Sequence, residues 1–538
     1  MIAAGLILWV GAVADGLSSR LSVDVRDAGN GQPTAARLSF LADGSEFTPA
    51  DVNEHGLRFV SIHETKRQEQ VVVYARGTGA VEIALPAGTR RLEVWATKGF
   101  EYRPARLVLD VTEPVTRAAF TLSRWADLGA AGWFAADEHV HYDRLEPAAN
   151  ADWFTMMAGD DLRTLHFMML KGGKVPGEWA RQYAYGPAGE AADHTHWLTA
   201  GEEYRDQAQG HINLLGVREI VQPIMTGTRD LPENYPPLHA VLLHARELGA
   251  FNGVAHGAAL GREPTAIVDT VLGAVDFFEI ANPFLYAPDL WYRLMNCGYH
   301  LPPAAGTDLP NYPQRDPWQP FLGSMRMYVR VGAAHDFATW RQVVERSEVF
   351  VTSGPLVSFT VNGQPAGNDI ALAAPGEVAV DAELSSPLAL TQFGLLVNGE
   401  PVPADPERTV VDGVNRWRIR RAVRLERSSW LAVRGVGEPI RALQRSPELR
   451  AQPHALTEAI SHSAAIRVLV GDRPIRSATD AAALQQILNR QREFYRTGAR
   501  FARDEQRDEL LALFDRAAAE LRRRETEART DRRSTLPP

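Results

Sequence analysis

The sequence predicts a multidomain protein of the α/β plus β class, with a barrel-like α/β unit between two β-sandwiches and a helical segment at the C-terminal end. Three observations predict this organisation. Between residues 130 and 355, apolar strands alternate with amphipathic helices, as in a parallel sheet that is closed, or nearly closed, as a barrel. Residues 20–125 and 356–470 contain short strands separated by turn residues, which is typical of sandwiches. Residues 478–526 are charged and helical in pattern.

The composition limits the class of protein. The chain has 538 residues, 45% of them hydrophobic and 23% charged, which is ordinary for globular proteins and too long for a single core; about three or four domains are expected. The formal net charge of -9 argues against a nucleic-acid-binding protein that depends on neutralising phosphates. Cys297 is the single cysteine, which excludes intrachain disulfides and thiolate zinc clusters. Imidazoles and carboxylates must therefore supply any metal ligands.

The N-terminal residues 1–14 form an apolar run that ends in Ala12-Val13-Ala14. This is the pattern of a signal peptide with an A-x-A cleavage site, although the basic n-region is absent. The run is shorter than the roughly 20 residues that a membrane span needs, and no later stretch is long and apolar enough to cross a bilayer. The alternative is a first buried strand. We expect a secreted or periplasmic protein without a membrane span, and a cytoplasmic location stays open.

The first predicted sandwich, residues 20–125, shows the two-residue alternation of strands. Leu21–Val25 and Arg91–Trp95 alternate apolar with polar residues, and Asn30-Gly31 supplies a turn. The stretch Leu85–Val94 is similar to the carboxypeptidase-regulatory (transthyretin-like) modules of many secreted enzymes. This resemblance implies a packing or positioning role without chemistry of its own.

The barrel prediction depends on an ordered series of strands and helices. Each predicted helix after the first ends at or before a glycine, the residue that most often terminates a helix. The predicted helices are Trp153–Ala158, Leu238–Leu248, Thr265–Gly273 and Trp291–Cys297, and the predicted strands are Arg163–Leu170, Phe251–Ala255, Val275–Ile280 and Leu301–Ala305. Sites in parallel α/β folds lie at the C-terminal ends of the strands, so we expect functional residues at that rim.

The stretch Asp137-Glu138-His139-Val140-His141 carries the clearest chemical signal. Side chains at i and i+2 of a strand point to the same side, so His139 and His141 can share one metal ion. Four further candidate ligands each border a predicted strand end or a glycine-containing turn: Glu203, His211, His256 and Asp308. Together the six residues suit two divalent ions of the Zn, Mn or Fe type. A lone His256 would be interpreted as a core histidine and a lone Asp308 as a helix cap.

The order of these motifs resembles the PHP (polymerase and histidinol phosphatase) superfamily. The matching motifs are Asp137-x-His139-x-His141, Gly201-x-Glu203, Gly210-His211, Ala255-His256 and Gly306-Thr307-Asp308. Three stretches are similar to its CehA/McbA branch, named for carbaryl hydrolases: Trp291–Gly298, Ala305–Asp308 and Thr352–Leu356. The resemblance implies a distorted (β/α)7 barrel with two ions. It places one ion on His139, His141, Glu203 and Asp308, and the second on Glu203, His211 and His256.

The chain departs from the PHP pattern at the third metal site. The family has Asp-His after the second strand, where this chain has Leu165-His166, and a histidine two residues after the last aspartate, where this chain has Pro310. The resemblance therefore implies two ions rather than three. It favours the carbamate or ester branch over trinuclear phosphatase chemistry.

Further residues near the predicted rim are candidates for the substrate pocket or for orienting a ligand. They are His166, Lys171, Lys174, His194, His196 and Glu279. Each has a structural alternative. The alternative for His166 is a buried, hydrogen-bonded histidine. For the other two histidines the alternative is a polar loop, for the two lysines a solvated loop, and for Glu279 the end of a strand.

The predicted function is a metal-dependent hydrolase acting on a small, largely uncharged substrate. A hydroxide bridging the two ions would attack the acyl carbon of an ester, carbamate or amide; Glu203 would bridge the ions, and Asp308 would accept and return the proton. An uncharged substrate is favoured by an aromatic pocket drawn from Trp133, Trp179, Tyr183, Tyr185, Phe284 and Tyr286. Two alternatives stay open: a PHP-type phosphoesterase, which an arginine cluster at the rim would favour, and a non-catalytic binding protein on a metal-containing scaffold. The oligomeric state does not follow from the sequence.

Overall fold

The structure is a computed structural model that describes residues 19–62, 69–171, 177–258, 264–283, 285–311, 316–333, 336–445 and 455–534. The predicted signal peptide, residues 1–14, lies outside these ranges, as do Lys174 and Phe284. Within them, no helix is both long enough and apolar enough to cross a bilayer. The described chain is a mixed α/β structure with several sheets, in agreement with the predicted class.

The N-terminal residues form two sheets around one core. The strands are β1 (Arg20–Asp27), β2 (Ala35–Ala42), β3 (Ser45–Glu46), β4 (Gly56–Ile62), β5 (Glu69–Arg76), β6 (Val81–Ala84), β7 (Arg91–Thr97), β8 (Ala105–Asp110) and β9 (Val115–Leu122). One sheet has the order β6-β1-β9; the other has the order β4-β5-β2-β7-β8, with β3 paired to β2. Val23, Phe40 and Val94 are buried together between them. Burial of one face of each sheet explains the two-residue alternation in the sequence.

The central residues 134–352 contain the alternating elements. They are β10 (Phe134–Val140), α1 (Asn150–Gly159), β11 (Thr164–Lys171), β12 (Glu178–Trp179), β13 (Ala191–Ala192), β14 (Trp197–Asp206), β15 (Gly210–Leu215), β16 (Met225–Thr226), α2 (Leu238–Glu247), β17 (Phe251–Val254), α3 (Ala266–Val271), β18 (Phe277–Asn282), β19 (Leu285–Tyr286), α4 (Asp289–Asn296), β20 (Pro303–Ala305), β21 (Arg326–Val329), α5 (Phe337–Glu345) and β22 (Val349–Thr352). The predicted helices and strands are present, with bounds shifted by a few residues, as is usual at element ends.

The strand pairings of this central unit return to their starting point. β10 pairs with β11, β11 with β14, β14 with β15, β15 with β17, β17 with β18, and β18 with β20. Beyond β20, Leu309 forms a parallel bridge with Val140 at the end of β10. The C-terminal ends of β10 and β20 therefore lie side by side.

The expectation of a purely parallel sheet is wrong at β15. Both of its pairings, with β14 and with β17, are antiparallel, whereas β10–β11, β11–β14, β17–β18 and β18–β20 are parallel. The reason is local. Only residues 207–209 separate β14 from β15, which is enough for a hairpin and too short for a crossover helix. His211 consequently lies at the start of an antiparallel strand, directly opposite Arg205.

Three glycines end the helices of the central unit as the sequence predicts. Gly249, Gly273 and Gly298 follow α2, α3 and α4 with φ angles of 91°, 80° and 85°. Positive φ at this position is the left-handed conformation that closes a helix and that glycine adopts without steric cost. The chain then turns directly into the next strand.

The C-terminal residues continue the large sheet and add a second, smaller one. The elements are β23 (Leu356–Val361), β24 (Ile370–Leu372), β25 (Gly376–Ser386), β26 (Leu390–Val397), β27 (Glu400–Val402), β28 (Glu407–Val411), β29 (Val414–Leu425), β30 (Ser429–Pro439), α6 (Arg441–Gln444), β31 (Glu458–Ser463), β32 (Ile466–Val470), α7 (Ala478–Thr497) and α8 (Asp504–Ser534). β23, β25, β29 and β28 form the smaller sheet. β22 pairs with β31, so hydrogen bonding is continuous between the central and C-terminal strands.

The N-terminal sheets pack directly on α1 and its C-terminal end. The Tyr74 hydroxyl donates a buried hydrogen bond of 2.6 Å to Asp160 Oδ2, and Lys98 Nζ donates to the carbonyl of Ala158. Buried polar groups need such partners because water cannot reach them. These contacts tie the N-terminal unit to the α1–β11 connection, away from the C-terminal ends of the strands.

Candidate metal centre

The C-terminal end of β10 brings two imidazoles together. The side chains of His139 and His141 point to the same side, as their i, i+2 spacing predicts, and their Nε2 atoms are 3.0 Å apart. His139 is fully buried and His141 is 5% exposed. The two histidines therefore converge on one point inside the protein.

The hydrogen bonds of the Nδ1 atoms of His139 and His141 determine which ring nitrogen can bind a metal. His141 Nδ1–H donates to the carbonyl of Met168 at 2.6 Å, and His139 Nδ1–H donates to Glu279 Oε2 at 2.9 Å. A neutral imidazole that donates through Nδ1 carries its lone pair on Nε2. Both Nε2 lone pairs are thus directed at one small region, which is how metal-binding histidines are held.

Glu203 lies at the centre of the cluster. Its Oε2 is 3.3 Å from His141 Nε2 and 3.7 Å from His139 Nε2. Its Oε1 is 3.1 Å from His211 Nδ1 and 3.5 Å from His256 Nε2. The two oxygens of one fully buried carboxylate therefore face two different pairs of histidines.

Asp308 and His256 complete the group. Asp308 Oδ1 is 3.2 Å from His141 Nε2, and Asp308 Oδ2 is 3.6 Å from His256 Nε2. Both residues have left-handed backbone, with φ of 55° at His256 and 48° at Asp308. Non-glycine residues in this region are uncommon and concentrate at functional sites, where the surrounding structure holds them. The structure thus brings all six candidate ligands together.

Asp137 holds the two chain segments of the site in register, a role that the sequence did not reveal. Its carboxylate accepts hydrogen bonds from Thr307 N at 2.9 Å, Thr307 Oγ1 at 2.7 Å and Gly323 N at 2.8 Å. The backbone N–H of Asp308 in turn donates to the carbonyl of His139. The position of Asp308 relative to His139 thus depends on a buried carboxylate that does not face the cluster.

Gly306→Ala is expected to displace His139. A Cβ at position 306 would lie 2.4 Å from His139 Cβ and 2.7 Å from His139 N, and backbone atoms cannot move aside easily. Overpacking of this kind costs about 1–3 kcal/mol. We expect lower metal content together with a lower free energy of unfolding, measured by metal analysis and by denaturant titration. Gly394→Ala is the control, since a Cβ added at position 394 would have nothing within 4 Å; equal behaviour of the two variants would contradict the prediction.

The charges of the cluster suit metal ligation. Burial lowers the pKa of His256 to about 3, so its imidazole is neutral. Burial alone would raise the pKa of Glu203, but the Arg205 guanidinium and the neighbouring histidines hold it well below its usual range. Burial alone would lower the pKa of His139, but Glu279 and the other carboxylates raise it well above the usual value. The same carboxylates favour a metal cation at His139 in place of a proton, because a metal-binding imidazole must be neutral.

The buried polar atoms of the cluster fit a metal ion. Glu203 Oε1 and His211 Nδ1 are both inaccessible to water and, in the described part of the chain, have no hydrogen-bond partner. They face each other across 3.1 Å. Buried atoms without partners are costly, and a divalent ion between a carboxylate oxygen and an imidazole nitrogen would satisfy both.

Comparison with known proteins leaves the family open. No protein-family model and no curated protein matches this chain. Two solved structures are similar to part of it: the lesion-specific endonuclease PfuEndoQ from Pyrococcus furiosus, and Endonuclease Q in complex with a 27-mer duplex substrate with an abasic lesion at the active site. Each shares 14% sequence identity over 40% of this chain and 56% of its own length, with a TM-score of 0.25. The match spans about half the length of those enzymes, and similarity this low assigns neither a fold nor an activity.

The other histidines proposed from the sequence lie apart from the six. His166 is fully buried on β11 against Trp197 and Trp340, and within the described residues neither ring nitrogen has a hydrogen-bond partner. His194 is exposed, and His196 Nδ1 is 2.8 Å from Asp193 Oδ2. The last two precede β14, at the opposite end of that strand from Glu203. This placement agrees with the polar-loop alternative for the pair.

Lys171 and the proposed pocket aromatics have contacts elsewhere. Lys171 ends β11, where it is the register partner of Glu178. The rings of Trp133 and Phe350 have centroids 5.5 Å apart, the Tyr183 ring lies beneath the Arg144 guanidinium, and the Tyr286 and Tyr292 hydroxyls are 3.3 Å apart. An aromatic pocket around the cluster stays a prediction.

Asn213 and Arg205, which the sequence did not single out, also support the cluster. Asn213 Nδ2 donates to Glu138 Oε2 and to Glu279 Oε2, each at 3.3 Å, beneath His139. Arg205 Nε donates to Glu203 Oε2 at 2.9 Å. The available signal was the strand periodicity: Arg205 is two residues from Glu203, and Asn213 is two residues from His211, so each shares a face with a ligand.

Glu279→Gln is expected to weaken metal binding without preventing folding. An amide oxygen can still accept from His139 Nδ1–H, but it lacks the negative charge that strengthens this hydrogen bond. Loss of such a partner typically costs 10–100-fold in metal affinity, and we expect a change of roughly that size by competition with a coloured chelator. An unchanged affinity would mean that Glu279 merely ends its strand.

Proposed function

We propose that this protein is a metal-dependent hydrolase. The observation that carries the proposal is the pair of His139 and His141 Nε2 atoms, 3.0 Å apart, while both Nδ1 groups are engaged as donors. Two lone pairs at this distance repel each other unless a cation lies between them. The adjacent buried carboxylates of Glu203 and Asp308 favour a divalent cation over a single proton.

Two ions are supported by the overlap of the ligand groups. Within each group below, one ligand atom from every residue lies within 4.8 Å of the others. The groups are His139, His141 and Glu203; Glu203, His211 and His256; and His139, His256 and Asp308. Glu203, His139 and His256 each belong to two of them, and of these only the Glu203 carboxylate directs two different oxygens at two sets of histidines, as a bridging ligand would. Zn, Mn and Fe are the ions that suit imidazole and carboxylate ligands together.

The side chains of the cluster have separable tasks in hydrolysis. When bound, two such ions supply an activated water and polarise the oxygen of the scissile group. Burial alone would raise the pKa of Asp308, but His141 and the other histidines hold it below the usual range, so Asp308 is an ionised carboxylate. It is the group placed to hold the water proton and return it to the leaving group. Glu279 holds the His139 ring in place.

The proposed fold is a distorted (β/α)7 barrel of the PHP type, in the CehA/McbA branch. The return of the strand pairings from β20 to β10 supports it. The same proposal includes the flanking sandwiches at residues 20–125 and 356–470, the barrel at 130–355, the helices at 478–526 and export through residues 1–14.

The proposed scissile bond is an ester, carbamate or amide of a small molecule. A phosphoester is the second candidate, favoured by the Arg205 guanidinium on Glu203. The test is a panel of aryl esters, carbamates, anilides and phosphoesters offered to metal-loaded and chelated protein. We expect acyl hydrolysis that chelation abolishes. Cleavage confined to the phosphoesters would replace the first candidate by the second, and no cleavage of any class would overturn the proposal.

A further inference from the structure

A cavity of about 840 Å³ lies where the N-terminal, central and C-terminal parts of the chain meet. Its floor is the outer face of strands β7 and β8, and its walls come from residues 316–318, residues 387–388 and residues between 438 and 445. The volume falls within the roughly 300–1,000 Å³ of typical ligand sites. None of the six candidate metal ligands lines the cavity. A ligand bound there would therefore occupy a site separate from the metal cluster.

The floor of the cavity carries a fixed group of one aromatic and two charged side chains. Because side chains alternate along a strand, Val94 faces the core while Glu93 and Trp95 face the cavity. Trp95 Nε1 donates to Glu93 Oε1 at 2.7 Å, and Arg106 Nη2 donates to Glu93 Oε2 at 2.5 Å. The Arg106 side chain is 50% exposed, and among the described residues Glu93 is its only hydrogen-bond partner. Its remaining N–H groups are available to a ligand beside an indole ring.

Trp318 is half-buried in the wall of the cavity, on a segment that two other parts of the chain hold in place. The Asp316 carboxylate accepts a hydrogen bond of 2.7 Å from Arg441 N at the start of α6. The carbonyl of Pro317 accepts one of 2.9 Å from Nη2 of the buried Arg37 on β2. The position of the indole ring is thus set before any ligand binds, and a preorganised site loses less conformational entropy on binding.

The charges around the cavity are balanced. Four arginines and four acidic residues line it, so neither an anion nor a cation is favoured by the overall charge. A hydroxyl group both donates and accepts, and it can be matched by a guanidinium and a carboxylate at the same time. The C–H faces of a sugar ring are apolar and can pack on the face of an indole ring. A ring that carries several hydroxyls therefore suits both the charged and the aromatic side chains.

We propose that this cavity binds a neutral oligosaccharide. One sugar ring packs on Trp318, and hydroxyls of the same molecule accept hydrogen bonds from Arg106 and Arg441. The Arg441 side chain is exposed and, in the part of the chain that the structure describes, its guanidinium makes no hydrogen bond or ion pair. The cavity contains no candidate metal ligand, so this proposal is independent of the proposed hydrolase function. The competing ligand class is a hydrophilic peptide.

Native gel electrophoresis through soluble polysaccharides tests the proposal on the full-length protein. The probes are hydroxyethylcellulose, starch, arabinoxylan and galactomannan, and the hexasaccharide of the one that retards the protein is then titrated by calorimetry. Arg441→Ala removes an exposed guanidinium and keeps the backbone N–H that binds Asp316, so the fold should be unchanged. Hydrogen bonds to charged groups predict a loss of affinity of roughly 10- to 100-fold in this variant. Loss of the aromatic ring in Trp318→Ala should cost at least about 30-fold.

Arg420→Ala and metal removal are the controls. Arg420 is exposed beside Asp381 on the smaller C-terminal sheet and does not line the cavity, so this variant and the chelated protein should both keep the wild-type affinity. An affinity that falls on chelation but is unchanged in Arg441→Ala would place the saccharide at the metal cluster and overturn the proposal. Retardation by none of the polysaccharides would also overturn it. Tighter binding of casein peptides than of any saccharide would assign the cavity to a peptide instead.

Discussion

Glu203→Gln is expected to remove metal from both halves of the cluster. The two oxygens of Glu203 lie 3.3 Å from His141 Nε2 and 3.1 Å from His211 Nδ1, so this one side chain faces both groups of histidines. An amide offers one neutral oxygen and one N–H₂ group, which cannot hold two cations close together. We expect less than one ion per chain by metal analysis. The rate of hydrolysis should fall by more than about 100-fold, which is the upper end of the effect of losing a residue that only hydrogen-bonds a metal ligand.

The neighbouring residue provides a matched control. Glu202 is equally buried on the opposite face of β14, and its Oε2 accepts from Val221 N at 2.8 Å. Burial raises the pKa of Glu202 to about 8, so its neutral form predominates at pH 7 and loses its proton only as the pH rises through about 8. Glu202→Gln therefore replaces a neutral acid by a neutral amide and should retain both ions. Metal loss in both variants would indicate general unfolding rather than loss of a bridge.

His256→Ala is expected to lose one ion and keep the other. His256 Nε2 is 3.5 Å from Glu203 Oε1 and 3.6 Å from Asp308 Oδ2, on the side of the cluster that includes His211. The group of His139, His141 and Glu203 stays complete. Catalysis by paired ions needs both ions, so the turnover rate should fall by at least roughly 100-fold. The metal content should fall only from two ions to one. Metal analysis and rate measurement on the same sample give both quantities.

The backbone at His256 requires a second variant. Its φ of 55° is left-handed, where alanine costs roughly 1–2 kcal/mol and asparagine is tolerated. His256→Asn should therefore match His256→Ala in metal content while being more stable to denaturant. His239→Asn, a buried histidine on α2, is the control and should keep both ions. If His256→Ala retains both ions and a near-normal rate, His256 is a core histidine and the two-ion interpretation is wrong.

The convergence of the six candidate ligands could be deduced because their signals are local. Two histidines at i, i+2 on a strand share a face whatever the rest of the fold does. His256 and Asp308 follow apolar strands, and parallel strands bring their C-terminal ends to one rim. Glycines after α2, α3 and α4 marked the helix ends for the same reason, since left-handed backbone favours glycine.

Other features could not be deduced because they depend on register and long-range pairing. The short connection at residues 207–209 allows the β14–β15 hairpin, but nothing local predicts the register that places Arg205 opposite His211 or the second antiparallel pairing of β15, with β17. Asp137 was visible as a motif residue, but its bonds to Thr307 and Gly323 span chain segments that only the fold brings together. The direction in which an aromatic side chain on a loop faces is likewise not set by the local sequence, so an aromatic pocket could not be deduced from the sequence.

The most direct test of the account is the metal stoichiometry of the purified protein, measured by mass spectrometry of the metals before and after chelation and reconstitution. Cations would satisfy the lone pairs of His139 and His141 and, within the described part of the chain, the unpartnered atoms of Glu203 and His211. We predict about two divalent transition-metal ions per chain by the count of ligand groups, loss of hydrolysis on their removal, and its return with Zn, Mn or Fe. Protein that binds no such ion on reconstitution, or that keeps full activity after exhaustive chelation, would contradict the account.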